Sequence, residues 1–303
     1  MQITAITLTQ LCSMFFFMAI GYFFTKRGIL TKEAGSNISK LIVNIFLPAM
    51  VVLSFSNNFK LDVLRDKLML IIFSVIVLTI TGVLAIFLAK IFSKNKSTQN
   101  IYIYSFTIPN LGYMAYPLVK AIYGESLFLD TLVFCIPFSL YIYTIGLFIL
   151  TSSQKVSLKG LLNPTLVATF AGIIIGLLNI KLPTVAVSIL EMAEGAVTPC
   201  AMVLTGTVFA RINIKSVFID WKSYVASAIR LLIIPLVCLF IFKLLKIPQN
   251  WIISSICVLA MPMGVNSVIF PEAYGGDAES GAKVCFMSAI LGIITIPLVF
   301  YLL

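Results

Sequence analysis

Residues 107–124 read TIPNLGYMAYPLVKAIYG, and their reading decides the fold. They lie in an apolar run long enough to cross a bilayer. Yet the run carries Pro109 and Pro117, Gly112 and Gly124, Asn110 and Lys120. Proline removes a backbone donor and its ring clashes with the preceding turn, so an unbroken helix is not expected here. In hydrocarbon each unpaired backbone group costs several kcal/mol, so broken backbone is tolerated only against protein or a water-filled cavity. The stretch is therefore expected to line a cavity. A second stretch of the same character, MPMGVNSVIFPEAYGG at 261–276, stands near the C-terminus. Two interrupted spans at matching places in two halves point to a transporter's binding site.

The composition fits that setting. The 303 residues are 60% hydrophobic and 11% charged, and the mean hydropathy is +1.10. Several apolar runs reach the roughly 20 residues a spanning helix needs. They are continuous, which excludes the short alternating segments of a membrane β-barrel. The expected class is an all-α polytopic membrane protein. The net charge of +10 does not point to nucleic acid, because the basic residues form short clusters between apolar runs, as cytoplasmic loops do. Six cysteines lie within apolar runs without a CxxC pair and read as small buried apolar residues. The chain has no histidine, which removes histidine zinc sites, Ser-His-Asp triads and histidine proton relays. No phosphate-binding glycine loop or zinc-protease motif is present. Neither a cofactor nor a metal is expected, and no enzyme chemistry is visible. The first basic residues, Lys26 and Arg27, follow the first apolar run, which favours a retained span over a cleaved signal peptide.

Ten spans are expected. They run about 6–25, 38–55, 68–92, 100–123 and 127–151, then 163–180, 184–210, 223–245, 250–274 and 279–303. A polar linker, SSQKVSLKG, stands at 152–160, and Asn163-Pro164 reads as an N-cap followed by proline at the first helical position. Trp221 and Trp251 fall near span ends, where amphipathic rings favour the interface. Of the 21 basic residues, 13 fall after odd-numbered spans and 6 after even-numbered ones. That bias puts both termini outside and the linker in the cytoplasm. The chain divides into residues 1–151, a linker at 152–162, and residues 163–303. Each half holds five spans, so two copies must be inserted with opposite orientation. KAIYGES at 120–126 matches PEAYGGD at 271–277, which sets spans four and nine in equivalent places.

The candidate substrate-binding residues are Pro109, Asn110, Gly112, Tyr113 and Pro117 in the first stretch, and Pro262, Gly264, Asn266 and Ser267 in the second. A half-helix starting near Asn110 offers free N–H groups and the positive end of a dipole to an anion. Asparagine and serine bind a carboxylate or a cation without a permanent buried charge. Glu191 and Glu194, spaced i, i+3, share a helix face in span seven. Glu194 lies roughly 15 Å past the start of that span. Two readings stay open. A carboxyl near the midplane could carry a proton, or the helix enters the bilayer later and both glutamates lie at the interface. Arg230, inside span eight, is expected to pair with one of these glutamates or to snorkel to an interface. Glu191, Glu194 and Arg230 are the candidates for ion or proton coupling. Lys120 is expected to snorkel. Asn44, Pro48, Ser139 and Tyr143 read as helix–helix contacts.

IPNLGYMAYPLVKAIYG resembles the fourth-span signature of the auxin efflux carrier family, in which Pro-Asn leads to a second proline and then Tyr-Gly. IFLPAMVVLSF at 45–55, LNPTLVATFAGIIIGL at 162–177 and residues 259–303 resemble that family's second, sixth and last two spans. The resemblance implies ten spans in two inverted five-helix repeats, with spans four and nine broken and crossing at midplane, and an elevator-like motion of one bundle against a scaffold. Pro109, Asn110 and Pro117 match its crossover residues. In the second stretch the proline of the crossing is replaced around Asn266-Ser267, and Pro262 stands just upstream. The short linker resembles bacterial members, which are associated with malate- or malonate-like carboxylates. The expected function is secondary transport of a small organic anion by alternating access, coupled to protons or driven by the membrane potential. A passive anion facilitator and a sodium-coupled symporter are the alternatives. The partners expected are the anion and the lipid bilayer, with homodimerisation left open.

Overall fold

A computed structural model describes residues 2–61, 64–150, 164–211, 213–274 and 276–303. The linker at 152–162 and the Asn163 cap lie outside the described residues. Sixteen α-helical segments follow one another: α1 (Gln2–Lys26), α2 (Lys32–Leu41), α3 (Leu47–Asn58), α4 (Leu64–Phe92), α5 (Lys96–Thr107), α6 (Tyr116–Tyr141), α7 (Leu147–Leu150) and α8 (Pro164–Leu177). They continue as α9 (Thr184–Gly195), α10 (Val197–Phe209), α11 (Ile214–Ile219), α12 (Trp221–Ala228), α13 (Ile234–Leu244), α14 (Gln249–Leu259), α15 (Asn266–Tyr274) and α16 (Ala278–Tyr301). Among the described residues the one strand-like feature is an antiparallel bridge between Pro109 and Met263.

Among the described residues, seven helical runs are long and apolar enough to cross a membrane: 8–26, 33–58, 66–92, 111–141, 184–209, 221–244 and 278–301. The difference from the expected ten has a local cause. The fourth and ninth expected spans are cut at their prolines, so α5, α14 and α15 are each too short alone. The second part of span four runs on into span five as α6, although Gly124 turns the chain there at φ +77°. The α8 helix begins at the edge of the described residues and has 14 residues.

Among the described residues, four helices widen into a five-residue π turn, at Ile42–Phe46, Leu111–Ala115, Ile142–Gly146 and Ile229–Ile233. Three of these turns end two residues before a proline: Pro48, Pro117 and Pro235. The ring of a helical proline collides with the carbonyl four residues back, and a wider turn accommodates it. Pro117 therefore bends its helix without ending it.

Helix α1 lies along α10, and α3 lies against α8 and α9. A Cβ on Gly21 would fall 2.1 Å from the Val203 carbonyl oxygen, and one on Gly206 would fall 1.9 Å from that of Met18. The backbones of α1 and α10 thus touch, as small residues allow between membrane helices. A second grouping packs α4 on α5 and α6, α14 on α6, and α12 and α15 on α16. Two polar ties hold its ends. Lys67 and Asn250 both donate to the buried Asp130, joining α4, α6 and α14. Asp277 caps α16 by accepting from Ser280 N at 3.0 Å, and it accepts from Thr98 Oγ1 of α5 at 2.6 Å. Burial alone would raise the Asp277 carboxyl. Hydrogen bonds from Thr98 and Ser280, with Lys283 nearby, hold it below the ordinary carboxylate value. Large apolar side chains such as Phe16, Ile91, Met192, Phe240 and Ile294 face outward. That is the expected surface of a chain whose solvent is lipid.

Candidate functional site

The site begins with what proline denies the backbone. In a continuous helix the N–H of residue 109 would reach Ser105 and that of residue 110 would reach Phe106. Pro109 has no N–H, and Ile108 and Asn110 leave the helical region, at φ −107°, ψ 114° and φ −74°, ψ 81°. Helix α5 ends at Thr107 and the π turn of 111–115 starts beyond Asn110. The second stretch does the same after α14, where Ala260–Val265 separates two helices.

The two breaks satisfy each other. Asn110 N donates to Pro262 O at 2.8 Å, beside the Pro109–Met263 bridge. Met263 N donates to Ser288 Oγ at 3.1 Å, and Cys285 Sγ donates to Met263 O at 3.4 Å, so α16 holds the second break from behind. The break also recloses locally, with Ala115 N donating to Asn110 O and Ser267 N and Oγ both donating to Gly264 O. A Cβ on Gly264 would stand 3.3 Å from Pro109 O, so this position faces the other strand at close range.

A cavity of about 50 Å³ opens beside the two paired breaks. That is room for roughly three to five water molecules, or a carboxylate group. Six of the nine predicted binding residues line it: Pro109, Asn110, Gly112, Tyr113, Gly264 and Asn266. Pro117 lies beyond the π turn. Pro262 and Ser267 act in the wall, through the bonds just given. Among the described residues, no hydrogen bond engages the amide of Asn110 or of Asn266. The lining also holds Tyr104, Tyr116, Ser139 and Thr165, which the sequence reading did not place there. Ser139 was expected at a helix–helix contact. It reaches the cavity because the chain reverses at Gly124 and brings the second part of α6 back past the break. The Tyr143 side chain is outside the described set. Asn44 turns inward on its own helix, donating to Lys40 O at 2.7 Å.

The charged candidates are not brought together. Glu191 is exposed on α9. Glu194 pairs with Lys120 of α6, which also pairs with Glu125 at 2.7 Å and stands 5.5 Å from the Phe128 ring centroid. Lys120 is therefore held by two carboxylates rather than reaching outward alone. Arg230 neither meets a glutamate nor snorkels. It is fully buried in the π turn of 229–233, and its Nη1 donates to Phe106 O at 3.1 Å. The sequence could not pair these charges, because pairing depends on which helices are neighbours.

An all-helical chain with several membrane-spanning helices, and a polar cavity between two mutually paired helix breaks, has the architecture of a multi-pass membrane carrier. The family comparison agrees. Residues 6–300 match the family described as membrane transport protein, and the chain belongs to that family, the auxin efflux carrier-like transporters. It is 22% identical over 288 residues to an uncharacterized transporter of Methanothermobacter thermautotrophicus, covering 92% of both chains. It is also 22% identical over 289 residues to an uncharacterized transporter of Methanocaldococcus jannaschii, covering 92% of this chain and 93% of the other.

Proposed function

We propose that this protein is a secondary transporter that moves a small organic anion, of the mono- or dicarboxylate class, by alternating access. The observation that carries the reading is the pairing of the two breaks around a small polar cavity. Asn110 and Asn266, whose amides make no hydrogen bond among the described residues, line the space beside backbone that proline has freed. Carboxylate oxygens are acceptors only, and amide N–H groups and half-helix N-termini are donors. On this reading, residues 1–151 and 163–303 form inverted five-helix repeats in the cell membrane, ten spans in all, with both termini outside and the linker at 152–162 in the cytoplasm. The packing of α1 on α10 and of α3 on α8 and α9 supplies the static scaffold, and the helices around the crossing move against it. Glu194 is the coupling candidate within the structure's own contacts, because a proton arriving there would break one of the two ion pairs that hold Lys120.

The test is a thermal-shift screen of purified protein against mono- and dicarboxylates, with Na⁺ and pH varied, followed by uptake into proteoliposomes. A true ligand at a hundred times its Kd stabilises by about 2.7 kcal/mol. If no carboxylate stabilises the protein and none is taken up, the anion reading fails. Stabilisation that appears only with Na⁺ assigns coupling to sodium instead of protons.

A further inference from the structure

We propose that Arg230 is the fixed positive charge that makes the crossover cavity prefer anions. This rests on the carboxylate reading above. Arg230 is fully buried, yet only Nη1 is engaged; among the described residues Nε and Nη2 have no acceptor. No ion pair joins it to an aspartate or glutamate among those residues either. A buried guanidinium in membrane is costly, and arginine does not give up its proton in proteins. Such a charge calls for an anion that the described side chains do not supply.

Its one bond explains its position. Phe106 O would accept from Asn110 N in an unbroken helix, but that N–H goes to Pro262 O across the crossing. The orphaned carbonyl is one of the last of α5, where the helix dipole carries about half a negative charge. Left alone, that end would repel an anion from the cavity beside it. Arg230 caps it and reverses its sign, since a full positive charge exceeds the half charge it meets. The Nη1 contact lies three residues before Pro109, which lines the cavity. Three residues of chain span at most about 11 Å, so the charge acts within about 14 Å of the cavity wall. At an effective dielectric of about 20, a unit charge at that distance changes the affinity of a monoanion about sevenfold. For a dianion the factor multiplies, to about fiftyfold.

The charge dependence separates this role from a merely structural one. Arg230→Gln keeps an N–H₂ donor for Phe106 O and removes the charge; R230M removes both; R230K keeps the charge and loses the fork. Acetate and malonate are titrated against each purified protein. The expected result is a loss of about sevenfold for acetate and about fiftyfold for malonate in R230Q, with R230K within about threefold of the native protein for both. Where R230Q is not recovered, R230M is titrated instead; it also uncaps Phe106 O, so its losses are expected to be at least as large, and again greater for malonate than for acetate. Equal losses for the two ligands, or no loss, overturn the proposal and leave the transporter reading standing. Native protein that binds neither ligand overturns both.

Discussion

Replacing Asn110 with alanine tests the centre of the site without dismantling it. The main chain of Asn110 carries the architecture, through N–H to Pro262 O and C=O from Ala115 N. Neither bond involves the side chain, so both survive the substitution. The side-chain amide has no hydrogen bond among the described residues, and Asn110 lines the cavity, so little folding energy is lost with it. Its contribution should appear on binding. A hydrogen bond to a charged group contributes about 1.5–3 kcal/mol, which is a weakening of about 13- to 160-fold. Malonate titration of the purified variant by calorimetry measures this, with the melting temperature of the unliganded protein as the control. Affinity loss in that range with an unchanged melting temperature is the expected outcome. Native-like affinity refutes the assignment of Asn110 as a ligand. A melting temperature that collapses would instead show that the amide belongs to the framework.

Glu194→Gln removes the half-buried pair with Lys120 and is expected to cost on the order of 1 kcal/mol of stability, between the exposed and buried ion-pair ranges. It should also abolish uptake driven by a pH gradient while sparing binding; undiminished gradient-driven uptake excludes Glu194 as the proton carrier. Asp277 gives a pH signature. Its carboxyl is held below 3.8 in the folded chain, so the stability it adds is fully present above that value and is lost as the pH falls through the lower folded value. Melts of D277N should flatten the acid limb relative to the native protein, and superimposable limbs would remove that role. Gly206→Leu places a side chain where a Cβ alone meets the Met18 carbonyl oxygen at 1.9 Å, so α1 and α10 must separate. The expected cost is above about 3 kcal/mol, read as loss of monodisperse protein in size exclusion.

The two breaks were legible because proline and glycine act locally. Pro109 and Pro262 each forbid a helical donor whatever surrounds them, and membrane surroundings then require a protein partner. Which atom would be that partner was not legible. The Asn110–Pro262 bond joins residues far apart in the chain, and no periodicity encodes it. The π turns could have been anticipated from Pro48, Pro117 and Pro235, since each proline displaces a carbonyl four residues earlier. The turn at 142–146 has no such proline two residues after it. Lys120 looked like a surface-seeking lysine because its partner, Glu194, is reached only when α9 is set beside α6. Ser288 gave no signal at all, being one serine in an apolar helix, yet it satisfies the Met263 N–H. Arg230 was visible as a cation within a span, but its bond to Phe106 follows from a donor diverted elsewhere.

The bond from Asn110 to Pro262 also sets a timetable for making the protein. The donor leaves the ribosome long before its acceptor exists. At about 5–20 residues per second, the roughly 150 residues between them take about 8–30 s to synthesise. During that interval the chain made so far holds an unmated N–H and an uncapped helix end. The nascent first half must therefore be kept by water, lipid headgroups or the insertion machinery until the last fifth of the chain arrives. A ribosome that stalls between the two breaks leaves behind a membrane fragment with an open seam, the form that quality-control proteases are expected to remove first.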